Sequence, residues 1–450
     1  MAGSEEDWRG DLERWLEPFL RALKHPARRA MCPAYVAGLI GLGDRKSIQP
    51  MAARAEGIGY DRLHHFIAAG AWDEQPLAEA LCAEADRLVG GRSAVLVIDD
   101  TGLPKKGDHS VGVAPQYASS LGKTANCQTL VSLTLARGEV PVAVGLRLFL
   151  PERWTSDPER LARADVPGEQ RTAQTKPEIA LAEVDRVNAL GVRFGTVLAD
   201  AGYGISAAFR QGLSARGLTW AVGVPRILKV YPADVALLDP PADASARRRP
   251  EPDQVSASAE AMLATATWKR ISWRRGTKRR LAAHFAALRV RVADGPAQQV
   301  RGRPAQHMPG EEVWVVGERR ASGETKYYLS NLPATAHLVT VAAAIKARWV
   351  CEQAHQQMKE ELGLDHFEGR SWTGLHRHAL MVMMAFAFLQ ARRLARAEPK
   401  KGGAVASPRR SPACPRSARR SSTTSAIHRQ PAARIAMQSL PTHLSANLPK

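Results

Sequence analysis

Two short apolar runs, each halted by aspartate and glycine, narrow the folds open to this chain. Ser93-Ala-Val-Leu-Val-Ile-Asp99-Asp100-Thr101-Gly102 and Thr196-Val-Leu-Ala-Asp200-Ala-Gly202-Tyr-Gly204 share one shape. Unbroken apolar runs bounded by turn signals suit strands buried on both faces of a sheet. In open α/β sheets the chemistry gathers where strands end and loops begin. Taken singly, each aspartate also fits a turn or a helix N-cap.

Downstream, Ile345-Lys-Ala-Arg-Trp-Val-Cys-Glu-Gln-Ala-His-Gln-Gln-Met-Lys359 has helical periodicity. At roughly 100° per residue, Arg348, Glu352, His355 and Lys359 fall into a stripe about 60° wide. Ala343, Ala347, Val350, Cys351, Ala354 and Met358 gather on the far side in an apolar stripe about 100° wide. Such a helix packs by one face and presents a carboxylate between two cations on the other. An i, i+4 Arg/Glu pair followed by lysine is, by itself, an ordinary salt-bridged surface. Its company changes its weight. Two strand-end aspartates and a helix-borne glutamate are the oxygen ligands of a hard divalent cation, and Mg²⁺ keeps waters and room for phosphate oxygens.

Charge agrees. The 450 residues suffice for two or three domains and carry a net charge of +19, which suits a polyanionic partner. A glycoside hydrolase also uses paired carboxylates, but it leaves that charge unexplained, and aromatics are only 6% of the chain. The apolar run Ala379 to Leu389 is far short of the roughly 20 residues that span a bilayer. Glu5, Glu6, Asp7 and Asp11 are unlike the basic start of a signal peptide. Cys32, Cys82, Cys127, Cys351 and Cys414 are scattered, with no CxxC pair. That spacing argues for reduced thiols in a cytoplasmic protein, against a disulfide scaffold and against a zinc site.

The Arg-x₃-Glu-x₆-Lys run, the strand ending Asp-Asp-Thr and the Leu-Ala-Asp-Ala-Gly-Tyr-Gly segment resemble the DDE transposases of bacterial insertion sequences. The subgroup is the IS-seven-oh-one type, related to the IS-four group. Gly102-Leu-Pro-Lys-Lys-Gly107, Leu121-Gly-Lys123, Leu150-Pro-Glu-Arg-Trp154 and Thr175-Lys-Pro-Glu178 fit the same pattern, and the likeness covers roughly residues 10 to 397. One departure is visible: the signature usually opens with tyrosine three residues before the arginine, where this chain has Ile345.

The resemblance implies a DNA-cleaving and strand-joining enzyme. Asp100, Asp200 and Glu352 would be the catalytic acids and hold two Mg²⁺ ions, with Mn²⁺ a possible substitute. Asp99 competes with Asp100 for the bridging place, and the family's Asp-Thr pairing favours Asp100. Two such ions activate the attacking hydroxyl and clamp the leaving oxygen. Water first frees a 3′-hydroxyl, which then attacks target DNA. Arg348 and Lys359 would grip the flanking phosphates, and Lys105, Lys106, Lys123, Trp273, Arg274 and Arg275 are further DNA-binding candidates. The implied partner is double-stranded DNA, both transposon ends and target, bound by a homodimer in the synaptic complex. The implied location is the bacterial cytoplasm, at the nucleoid, with no membrane. A decayed transposase that only binds DNA and represses is the alternative.

The expected class is α/β: an RNase H-like catalytic core with a β-rich insertion, a helical N-terminal domain before it and a disordered basic tail after it. Residues 1–92 alternate helical patterns and short loops, suiting DNA end binding or a packing cap. Residues 93–232 hold the first part of the core, with strands at Gln128 to Leu135, Val140 to Leu148 and Thr219 to Val224. Residues 233–335 form the insertion, where Trp268, Trp273 and neighbouring cations suit either base stacking or an ordinary hairpin. Residues 336–397 bring the glutamate helix. From 398 to 450, ten Lys and Arg face one acid, Glu398, without apolar periodicity.

Overall fold

Both apolar runs are strands, and they lie side by side. The computed structural model describes residues 7–55, 57–118, 121–239, 249–275, 280–298 and 305–397. The basic tail from 398 and residues 240–248, most of a Pro-, Ala- and Arg-rich stretch inside the expected insertion, lie outside the described residues. The chain opens with helices α1 (Asp7–Ala22), α2 (Pro26–Ile40), α3 (Ile48–Arg54), α4 (Tyr60–His64) and α5 (Gln75–Val89).

Strands β1 (Val95–Pro104), β2 (Ala114–Ala118), β3 (Lys123–Arg137) and β4 (Val140–Phe149) follow. Gly138, at φ 61°, turns the β3–β4 hairpin in the left-handed region that glycine tolerates. Next come α6 (Lys176–Ala189), β5 (Thr196–Ala199), α7 (Ala201–Gly204), α8 (Ala207–Ala215), β6 (Trp220–Val224) and β7 (Lys229–Pro232). Then β8 (Lys269–Arg275), β9 (Arg280–Gln298), β10 (Gln306–Arg319) and β11 (Thr325–Ser330) precede α9 (Leu338–Ala347), α10 (Trp349–Glu360) and α11 (Trp372–Ala397).

The fold is mixed α/β. Its main sheet has 12 strands among the described residues: the path β7-β9-β10-β11-β6-β5-β1-β3-β2, β4 added on β3, β8 added on β9, and the two-residue strand Ala257–Ser258 paired with β7 at the edge. Strands β1, β5 and β6 run parallel, while β3 lies antiparallel to β1. The segment expected to interrupt the core joins it edge-on, because β11 pairs antiparallel with β6. One more difference concerns β1. It runs past its aspartates to Pro104, since β3 keeps pairing with it as far as Cys127. Its other neighbour stops early: pairing with β5 ends at Ile98 and Ala199, one residue before Asp99 and Asp200. That lost pairing opens the sheet at the acids.

Two local sequences fix the elements around this opening. Thr175 and Glu178 form a reciprocal capping box at the start of α6, and Pro177 lies in its first turn, so the helix begins with Lys176. Asp200 caps α7, and Gly204 lets that turn lie on β6, where an added Cβ would come 1.9 Å from the carbonyl oxygen of Gly223.

Helix α11 is the buried spine that joins the N-terminal helices to the sheet. Its apolar run packs in the core, with Phe386 and Phe388 buried. His378 pairs Nδ1 with the Tyr35 hydroxyl at 2.9 Å and Nε2 with the Gly363 carbonyl at 3.0 Å. Burial pushes His355 and His376 down to about 3, and His378 down to about 4. These imidazoles are therefore neutral in the fold and gain protons on unfolding in mild acid. Their contribution is complete above the unfolded value of about 6.5 and is lost as pH falls toward the folded values, at about 1.4 kcal/mol per pH unit for each. Urea unfolding at pH 7 and pH 5 should show a clearly lower midpoint at pH 5; equal midpoints would contradict the assignment.

Candidate active site

Pleating separates the two adjacent aspartates of β1. Asp99 points toward α10, where Arg348 Nη1 lies 2.6 Å from its Oδ2. The same guanidinium also binds Glu352, one helical turn on. Arg348 thus links the strand acid to the helix acid. Asp100 points to the other side of the sheet. Lys176 Nζ donates to its Oδ2 at 2.5 Å and the Tyr203 hydroxyl to its Oδ1 at 2.5 Å. Asp200 accepts from the backbone amides of Gly202 at 2.9 Å and Tyr203 at 3.3 Å, which fixes its carboxylate at the mouth of the opening. Asp100, Asp200, Lys176 and Tyr203 line a cleft of about 590 Å³.

The acid that faces Glu352 is thus Asp99, whereas the sequence favoured Asp100 for the place between the other two. Burial raises the Asp99 carboxyl to about 6, with the charges of Asp200 and Asp100 adding and Arg348 opposing. Burial, with Asp100, Asp200 and Asp99 adding, also lifts Tyr203 well above its ordinary range, so its hydroxyl stays a donor. Crowded carboxylates of this kind call for a counter-charge, and Asp99, Asp200 and Glu352 offer the oxygen donors a hard divalent ion prefers, although the donor atoms the described residues gather within 4.8 Å of one another are those of Asp99, Cys351 and His355.

The helix expected over 345–359 tightens at Arg348, which is a turn between α9 and α10. Residues before the turn lose their expected phase, and after it the buried face is wider than the apolar stripe alone. Val350, Cys351, Ala354 and Met358 are buried as expected, but Ala343 is exposed and His355, assigned to the charged stripe, is buried. His355 Nε2 lies 2.7 Å from Ser132 Oγ, and that hydroxyl donates to the backbone carbonyl of Asp99 at 3.0 Å. Strand β1 and the glutamate helix are therefore joined through β3.

The DNA-binding candidates divide. Lys106 and Lys123 are exposed. Among the described residues no carboxylate comes within ion-pair distance of Lys359, which is half-buried. Lys105 is turned inward, donating to the carbonyls of Phe367 at 2.7 Å and Asp365 at 3.3 Å. Trp273 packs edge-on to Phe285 beneath Lys346, while the Arg274 guanidinium lies 3.8 Å over the Trp349 ring and pairs with Glu139 at 3.3 Å. Arg275 ends β8, and its side chain lies outside the described residues. Lys176, Tyr203 and Ser132 escaped notice in the sequence. Lys176 and Tyr203 lie inside the matching stretches Thr175 to Glu178 and Leu198 to Gly204, which was the available signal.

A family model for DDE superfamily endonucleases matches residues 18–280, and the chain belongs to this family. Over 163 residues it is 33% identical to the probable transposase for insertion sequence element IS701 of Microchaete diplosiphon. That match covers 36% of this chain and 40% of the relative. The resemblance to DDE insertion-sequence transposases is thereby borne out. Superposed on the cryo-EM structure of a piggyBac transposase synaptic complex with hairpin DNA, the chain gives a TM-score of 0.41 at 9% identity, over 90% of this chain and 75% of that one. Among the described residues no helix is long and apolar enough to cross a membrane.

Proposed function

We propose that this protein is an insertion-sequence transposase that binds the terminal inverted repeats of its element, cleaves there and joins the freed 3′-hydroxyl ends to target DNA. The observation that carries the reading is the linkage of Asp99 to Glu352 through Arg348, with the charge of Asp200 acting on Asp99 and Arg348 from the end of β5, where β5 ceases to pair with β1. On this reading residues 93–232 and 336–397 form an RNase H-like core, residues 1–92 bind the ends, the strands of 233–335 are its insertion, and the chain works as a homodimer. Asp200, Glu352 and one aspartate of β1 hold Mg²⁺ or Mn²⁺, and the geometry favours Asp99 over Asp100. When bound, the ions activate the attacking hydroxyl and stabilise the leaving 3′-oxygen. Arg348 keeps the two acids in register. Lys106, Lys123 and Lys359 meet phosphates, and the Asp200 carboxylate is held still by two backbone amides. Mg²⁺-dependent cleavage of a duplex carrying the inverted repeats that flank the gene tests the proposal; tight end binding without cleavage would instead favour a DNA-binding repressor.

Two further outcomes follow. Lys359→Ala should melt close to the parent, since alanine is a good helix former and no carboxylate among the described residues pairs with the lysine, yet bind cleaved ends more weakly and transfer strands more slowly. Arg348→Lys loses the planar fork that binds two carboxylates at once, so both melting temperature and cleavage rate should fall. Parental transposition in Lys359→Ala would return that helix face to an ordinary salt-bridged surface.

The pH profile carries its own sign. Asp99 holds its proton up to about pH 6, so acid should compete with the ion for it. The Mg²⁺ concentration for half-maximal cleavage should rise about tenfold per pH unit below 6 and level off above it. A flat requirement between pH 5 and 7 would remove Asp99 from the site.

A further inference from the structure

The spacing of the cysteines argued against a zinc site, but the fold assembles what the spacing could not show. Cys351 and His355 stand one helical turn apart on the buried face of α10, and β1 brings Asp99 to them. Cys351 Sγ lies 3.5 Å from His355 Nε2. With Zn–S of about 2.3 Å and Zn–N of about 2.0–2.1 Å, the edge of a tetrahedral site is about 3.5 Å. A carboxylate oxygen of Asp99 completes a set whose three donor atoms all lie within 4.8 Å of one another.

We propose that Asp99, Cys351 and His355 form a site for a soft divalent transition-metal ion of the Zn²⁺ class, set directly beneath the catalytic acids and sharing Asp99 with them. Charge balances: one thiolate and one carboxylate neutralise the ion, and the imidazole binds uncharged. Binding releases the thiol proton to solvent and shifts the imidazole proton to Nδ1, so that Nε2 exchanges its 2.7 Å contact with Ser132 Oγ for the metal. Asp99 can keep Arg348, because each carboxylate oxygen has a second lone pair. Mg²⁺ is rejected. It demands octahedral oxygen and retained water, whereas this pocket offers sulfur and nitrogen in a buried place, the donors that select zinc. Only Asp99 opens outward, its side chain 13% exposed, so the ion enters from the active-site side. The site itself stands on these three side chains; its effect on catalysis, withdrawal of Asp99 and hence inhibition, rests on the transposase reading above.

Cobalt(II) titration of the full chain without DNA tests the site independently of activity. One equivalent should give a thiolate-to-cobalt charge-transfer band in the near ultraviolet, displaced by one equivalent of Zn²⁺ and unaffected by excess Mg²⁺. Cys351→Ser should abolish the band. His355→Gln should weaken Co²⁺ binding by at least the roughly 10–100-fold that loss of even an outer-sphere partner costs. Thermal melting identifies a variant that fails to fold, and the other variant then decides. No band in the parent, or a band retained in folded Cys351→Ser, overturns the site. If the parent shows the band and cleaves DNA undiminished by saturating Zn²⁺, the sharing of Asp99 is overturned. A parent with the band but no Mg²⁺-dependent cleavage supports the site and sinks the transposase reading alone.

Discussion

Replacing Glu352 by glutamine, or Asp200 by asparagine, is expected to lower Mg²⁺-dependent strand cleavage by about 10³-fold or more while leaving binding to the inverted repeats within a factor of a few. Each exchange keeps shape and removes one negative charge from the proposed metal-binding set. Loss of one group that stabilises transition-state charge in a dry site typically costs about 10²–10³-fold, and an ion that no longer binds forfeits all its contributions. Folding should survive. The Glu352 side chain is 61% exposed, and an amide oxygen at position 200 can still accept from the amides of Gly202 and Tyr203. Cleavage near the parental rate in either variant would remove that acid from the mechanism. Equal loss of end binding and cleavage, with a lowered melting temperature, would show damage to the fold instead.

The second large effect separates two neighbours. Asp99→Asn should abolish cleavage to the same degree, because it breaks the linkage to Arg348 and Glu352 on the acid face. Asp100→Asn should keep cleavage within about tenfold and act mainly on stability. Its ion pair with Lys176 is about one-third exposed on both sides, so no more than about 1 kcal/mol is at stake there. Measuring cleavage and melting for both variants under one set of conditions decides the matter. The reverse pattern, with Asp100→Asn inactive and Asp99→Asn active, would give the place to Asp100. The resemblance of the Asp-Asp-Thr strand to its relatives favours that reversal, and the pleat of β1 opposes it.

A good deal of this molecule could be read from local sequence. The Gly138 turn, the hairpin around it and the strand into Asp200 were legible because apolar runs and turn residues act within a few positions of themselves. The capping box at Thr175 is of the same kind. The buried face of α10 was legible in part: Val350, Cys351, Ala354 and Met358 followed the helical period, but His355, only about 40° round the helix from Cys351, is taken into the core where Ser132 meets it. Lys105 and Arg274 were misleading for a different reason. A cation in a basic stretch looks available to DNA until the fold brings a partner, here the carbonyls of Asp365 and Phe367 for one and the Trp349 ring for the other.

By itself, then, the sequence determined the element types, the family and the acids from which a site could be built, because periodicity, turn chemistry and residue type are local properties. Tertiary structure alone decided which aspartate of the adjacent pair meets Glu352. A strand with one wet face alternates apolar and polar residues, and its phase can be read directly; a strand buried on both faces is apolar throughout and carries no phase. Val95 to Ile98 is such a stretch, so nothing in it says whether residue 99 or residue 100 faces α10. That choice is fixed by pairing with β3, where Asp99 stands opposite Ser132, and by the helix that arrives some 250 residues later to place Arg348 over that face.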